Sequence, residues 1–157
     1  MTFRAWVVAA AVALTFSAPA AAKTKWTAQT SPSLYAMSDE EESDHSFYAV
    51  CPIRGIVELY VGANEHVGKG ENDAVKLRFE SDGKSATLSG ISRWSFNSEM
   101  TGGTELVTRV ETNHDVFKVL STGKPIKLTG SLSKPVTWNH PGMADAVKKF
   151  MKDCAPR

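Results

Sequence analysis

The chain has 157 residues, 18 Lys and Arg against 17 Asp and Glu, a formal net charge of +1 and two cysteines. Near-neutral charge argues against nucleic acid or anionic lipid as an electrostatically captured partner. The length suits one ordinary domain with a substantial core.

Residues 1–22 read as an export leader. Arg4 supplies the positive start and Ala5 to Phe16 an apolar core. The small residues Ser17 to Ala22 fit Ala-x-Ala cleavage after Ala20 or after Ala22. The second register is preferred and leaves Lys23 as the first mature residue. An apolar core of about a dozen residues falls short of the roughly 20 that span a bilayer, and no later segment reaches that length, so no transmembrane segment is expected in the mature chain. The Ala-rich core points to a bacterial protein of the periplasm or the cell exterior.

In the mature part, 23–157, Lys25-Trp26-Thr27 reads as a short strand, and Pro32 with its neighbouring serines as an irregular or edge segment. Residues 38–46 carry Asp39, Glu40, Glu41, Glu42 and Asp44, a self-repelling run that suits a solvated loop. Phe47 to Ala63 reads as two strands joined by a turn containing Pro52 and Gly55. A glycine-rich loop follows over 64–73. From Ala74 to Glu80 the pattern alternates, Val75, Leu77 and Phe79 against Lys76, Arg78 and Glu80, the period of a half-buried strand. Asp82-Gly83 turns the chain into a second strand over 85–96, so 74–96 is a predicted hairpin.

Residues 99–103 read as a loop and 106–111 as a strand. Asn113 is the predicted cap of a short helix over 114–121 with Val116, Phe117 and Leu120 on one face; Gly123 closes it and Pro125 stops it. Strands follow over 125–129 and 134–138. The last helix, about 142–153, sets Met143, Val147, Phe150, Met151 and Cys154 on one stripe and Lys148, Lys149 and Lys152 largely on the other side. Cys51 lies in the early strand pair and Cys154 on the apolar stripe of the final helix. In an exported chain two such cysteines are most simply a disulfide. The expected fold is therefore mainly β (α+β): a twisted antiparallel sheet or β-sandwich of about seven or eight strands, a short helix, and a C-terminal helix clipped on by Cys51 and Cys154.

Candidate sites are sparse. The acidic run lacks the spacing of a calcium loop. His45, His66, His114 and His140 are scattered without metal-ligand spacing, so no metal or cofactor is expected. Ser-x-x-Lys recurs three times, at Ser81/Lys84, Ser121/Lys124 and Ser131/Lys134, and repetition at that density marks chance; no Gly-x-Ser-x-Gly elbow occurs. No catalytic residue is nominated. Arg93, Trp94 and Phe96 on the second hairpin strand, with Trp138 at the end of a late strand, form the candidate contact surface for a protein or glycan; core packing is the competing role for both tryptophans.

The order of landmarks resembles that of small exported bacterial proteins. These are Trp26 near the mature start, the Cys51 strand, Val75-Lys76-Leu77-Arg78-Phe79, the helix ending Phe117 to Lys124, the strand from Pro125 to Leu128 and a C-terminal helix ending in Cys154. Similar proteins are the periplasmic ones associated with type VI secretion and those of the invasion-associated locus B type. The resemblance implies a non-enzymatic envelope protein with a β-sandwich-like body and no catalytic residue. Leu88-Ser89-Gly90-Ile91-Ser92-Arg93-Trp94 also resembles the Ser-Gly-x-x-Tyr motif of periplasmic C-type lysozyme inhibitors, with Trp94 as the aromatic, one residue displaced. The expected function is a binding or accessory protein meeting another envelope protein or a cell-wall component. The alternatives are an inhibitor of a lysozyme-type hydrolase and a small hydrolase.

Overall fold

The computed structural model describes residues 25–29, 33–37, 46–62, 66–95 and 98–156. The leader 1–22, the acidic run 38–45 and Phe96 lie outside them.

Among the described residues nine strands are present in chain order: β1 (Lys25–Ala28), β2 (Ser33–Met37), β3 (Phe47–Ile53), β4 (Ile56–Val61), β5 (Ala74–Ser81), β6 (Lys84–Trp94), β7 (Thr104–Glu111), β8 (Ile126–Gly130) and β9 (Val136–Trp138). Three helices accompany them: α1 (Ser98–Thr101), α2 (Asp115–Leu120) and α3 (Met143–Cys154). All nine strands form one antiparallel sheet in the order β1-β2-β3-β4-β7-β6-β5-β8-β9. Neighbouring strands sit about 4.8 Å apart, so a flat sheet of this size would hold its edges roughly 38 Å from each other. Instead Trp26 on edge strand β1 and Trp138 on edge strand β9 bring their rings to 5.9 Å. The sheet is therefore curled around its own core.

Alternation dictates which residues go inside the curl. On β5, Val75, Leu77 and Phe79 are buried between exposed Ala74, Lys76 and Arg78; on β4, Val57, Leu59 and Val61 are buried between half-buried Ile56, Glu58 and Tyr60. Short α2 adds Val116, Phe117, Val119 and Leu120 to this core, and α3 adds Met143, Val147, Phe150 and Cys154. Helix α2 lies against β5 and β6, α3 against β1 and β2, and the two helices touch. The opposite face of the sheet carries neither α2 nor α3.

The β5–β6 turn is Asp82-Gly83, with φ of 49° and 73° at its two residues; successive positive φ values match the twist that a two-residue hairpin needs. Cys51 on β3 and Cys154 at the end of α3 are joined, S–S 2.04 Å and Cα–Cα 5.8 Å, across 103 positions. Gly55 N–H also donates to the Cys154 carbonyl at 2.8 Å, so the β3–β4 turn and the helix end are tied twice.

Three expectations change in detail. Residues 98–101 form a one-turn helix where a loop was expected. The cap of α2 is His114 in place of Asn113: its Nδ1 accepts the Val116 N–H at 3.2 Å, so an imidazole takes the capping role usually filled by Ser, Thr, Asp or Asn. The opening segment supplies a second strand, β2, which pairs with both β1 and β3, so the edge lies one strand further out than Pro32 suggested.

Candidate functional site

Of the residues expected to form a contact surface, Arg93, Trp94 and Trp138 do not come together, and Phe96 lies outside the described residues. Trp138 is 1% exposed; it meets Trp26, Phe47 and Phe79 at ring distances of 5.9, 6.1 and 5.9 Å. It is a core residue, removed from any contact surface. Its Nε1 finds no acceptor among the described residues. Arg93 and Trp94 are both exposed, Trp94 at 50%. They are consecutive on β6, so the pleat aims them at opposite faces. Arg93 pairs in register with Glu105, whereas Trp94 pairs with Thr104, whose hydroxyl ties the Val67 backbone beside the core. Adjacency in sequence separates these two side chains in space.

What the outer face does collect is a row. Residues opposite each other on neighbouring strands share a face, and the register aligns Tyr48 with Tyr60, Tyr60 with Val107, Val107 with Ile91, and Ile91 with Ala74. This stripe crosses β3, β4, β7, β6 and β5, about 19 Å at ordinary strand spacing. The Tyr48 and Tyr60 rings lie 5.5 Å apart at 46°, within the range of attractive aromatic pairs. Ile91 is 39% exposed, while Tyr48, Tyr60 and Val107 are half-buried.

Charged groups flank the stripe. The Tyr60 hydroxyl donates to Glu58 Oε1. Arg109 reaches Glu58 Oε2 through Nε at 3.0 Å and through its terminal nitrogen at 2.9 Å. Accepting from Tyr60, and then from Arg109, holds the Glu58 carboxyl below the usual carboxylate range despite partial burial. The same bond raises Tyr60 to about 12, because ionising the phenol would remove the donor and set two anions together. On the other flank Arg93 stands opposite Glu105 in the β6–β7 register. A fixed aromatic pair, an aliphatic extension and paired hydrogen-bonding groups suit binding. Sequence reasoning placed Ile91 and Tyr60 on strands but had no register with which to align them.

Four of the groups weighed for catalysis, Ser81, Ser131, His114 and His140, are employed structurally. Ser81 Oγ pairs with Thr122 Oγ1 at 2.8 Å, Ser131 Oγ accepts the Lys76 N–H, and His140 Nδ1 accepts the Trp26 indole N–H at 2.9 Å. His66 is exposed in the loop before Val67. A shallow cleft of about 460 Å³ lies between Gly68, Asp73 and Ser131, where Asp73 Oδ2 accepts the Lys69 N–H. Among the described residues no three His, Cys, Asp or Glu gather as a metal site, and no helix is long and apolar enough to cross a membrane. Ser89 to Trp94, the inhibitor-like stretch, lies within a strand bonded to β5 along much of its length and to β7 at its end. Comparison with protein-family models, with curated proteins and with solved structures finds no match to this chain.

Proposed function

We propose that this is an exported binding or accessory protein of the bacterial envelope, without catalytic activity, that meets another envelope protein or a cell-wall component through the outer face of its sheet. The observation that carries the reading is the stripe Tyr48–Tyr60–Val107–Ile91 on the face that the helices leave uncovered. Aromatic residues held rigid by neighbours make good anchors, because little side-chain freedom remains to be lost on binding. The disulfide favours an oxidising compartment, the periplasm or the cell exterior, in agreement with the leader expected over 1–22. Ser81, Ser131, His114 and His140 are engaged in packing and capping, which argues against these four as the catalytic groups of a hydrolase.

The test compares the protein with an Ile91→Asp, Tyr60→Ser variant for retention on purified cell-wall sacculi and on solubilised envelope proteins. Retention on either material that the variant loses supports the proposal; no retention, or retention unchanged in the variant, contradicts it. One observation favours the inhibitor reading as the runner-up: Ser89, Ile91 and Arg93 alternate onto this same outer face. A lysozyme assay with no inhibition at micromolar protein removes that alternative.

A further inference from the structure

We infer that the Trp26–His140 hydrogen bond is an acid-released latch that holds edge strand β1 against the rest of the fold. Trp26 Nε1–H donates to His140 Nδ1 at 2.9 Å, joining residues 114 positions apart. An indole nitrogen is a donor only, so Nδ1 must be an acceptor, which requires the neutral imidazole with its proton on Nε2. Adding a proton to Nδ1 sets one N–H against another, and the bond cannot persist in that geometry.

The position makes this bond matter. Among the described residues strand β1 pairs only with β2. It is otherwise held by packing against α3, by Lys149 Nζ donating to the Ala28 carbonyl at 3.3 Å, and by the Trp26 ring, which is 6% exposed and lies 5.1 Å from Phe47. His140 sits in the connection between β9 and α3, half-buried and stacked on Trp138 at 6.0 Å and 26°. Burial pushes its titration below the usual histidine range. A group whose folded-state titration is depressed stabilises the closed form above its unfolded value, about 6.5, and loses that contribution as pH falls through the folded value.

Among the described residues the charged groups around it are few. Asp145, in the first turn of α3, shares the cleft that His140 lines. Strand β9 carries no titratable side chain, Lys25 points to the face of β1 opposite Trp26, and Lys149 is engaged with Ala28. The disulfide holds α3 to β3 independently of the latch, so acid loosens β1 alone. The consequence is a newly bare edge on β2, a surface able to pair with another strand.

The test is amide hydrogen exchange of ¹⁵N-labelled protein between pH 7.5 and 4.5, corrected for intrinsic exchange. Protection of the β1 amides is expected to fall as pH drops below about 6.5, by up to about tenfold per pH unit, and to level off below the His140 midpoint, while the β5–β6 hairpin keeps its protection. The Trp26 indole N–H resonance is expected to move with the same midpoint as the His140 ring. His140→Gln, which offers an acceptor that does not titrate, is expected to abolish the pH dependence. Flat β1 protection from pH 7.5 down to the His140 midpoint, equal loss in the hairpin, or unchanged acid sensitivity in His140→Gln would overturn the latch. Should His140→Gln fail to fold, the wild-type comparison of β1 with the hairpin decides alone.

Discussion

Cys51 and Cys154 join the third strand of the sheet to the last turn of the final helix, with Cα atoms 5.8 Å apart. Both are buried, and the loop they close spans 103 positions. Constraining so long a loop in the unfolded chain stabilises the fold by roughly 4–5 kcal/mol in the chain-entropy model. The double variant Cys51→Ala, Cys154→Ala is expected to lose stability of that order in urea unfolding, and reductant is expected to move only the wild-type midpoint. A loss under 1 kcal/mol would show that α3 is held by packing alone.

Two glycines separate close approach from backbone strain. A Cβ on Gly90 would stand 2.2 Å from the Val107 carbonyl oxygen, a backbone atom of the neighbouring strand. Gly83 has φ +73° but open space around it. Gly90→Ala is therefore expected to cost about 3 kcal/mol or more, as β6 and β7 must part. Gly83→Ala is expected to cost about 1–2 kcal/mol, the penalty of a left-handed conformation. Equal losses in thermal or urea unfolding would contradict the packing described for β6.

The Glu58–Tyr60 bond has a spectroscopic signature. Tyr60 is raised from 10 to about 12, so its contribution to stability holds below pH 10 and is lost as pH climbs through about 12. Glu58 is lowered from 4.5, chiefly by that same bond, so its contribution holds above pH 4.5 and disappears as pH drops through its folded value. Tyrosinate absorbance is expected to show one late-ionising phenol, and Glu58→Gln to bring it earlier. A titration in which the variant matches the wild type would place Tyr60 elsewhere.

The core tryptophans are expected to respond differently to loss of the indole nitrogen. Trp26 gives up a hydrogen bond to His140, a net loss near 1 kcal/mol. Trp138 gives up a buried donor without an acceptor among the described residues, which relieves a desolvation cost of about 1–3 kcal/mol and offsets part of the lost ring. At pH 7.5, Trp26→Phe is expected to be the more destabilising. The reverse order in urea unfolding would count against the hydrogen-bond pattern around His140.

Most elements were legible because their signals are local. Val75, Leu77 and Phe79 alternate cleanly, Asp82-Gly83 has its own turn chemistry, and the stripe from Met143 to Cys154 sets the core side of α3. The Cys51–Cys154 link was legible by arithmetic, two cysteines with one partner each. The contact surface was not. Period-two geometry puts Arg93 and Trp94 on opposite faces, and the stripe from Tyr48 to Ile91 exists only through register between strands up to 47 positions apart, as Tyr60 and Val107 are. Register depends on the whole sheet closing, so no local pattern announces it. The capping role of His114 was missed for a simpler reason: Asn113 beside it has the stronger intrinsic preference.

Site-specific photo-crosslinking in living cells tests the outer-face reading most directly, with the reactive group placed in turn at Ile91 on the sheet and at Lys148 on the solvent side of α3. The expected result is a discrete adduct from position 91, abolished by Tyr60→Ser, and none from position 148. Adducts from 148 without any from 91 would contradict it.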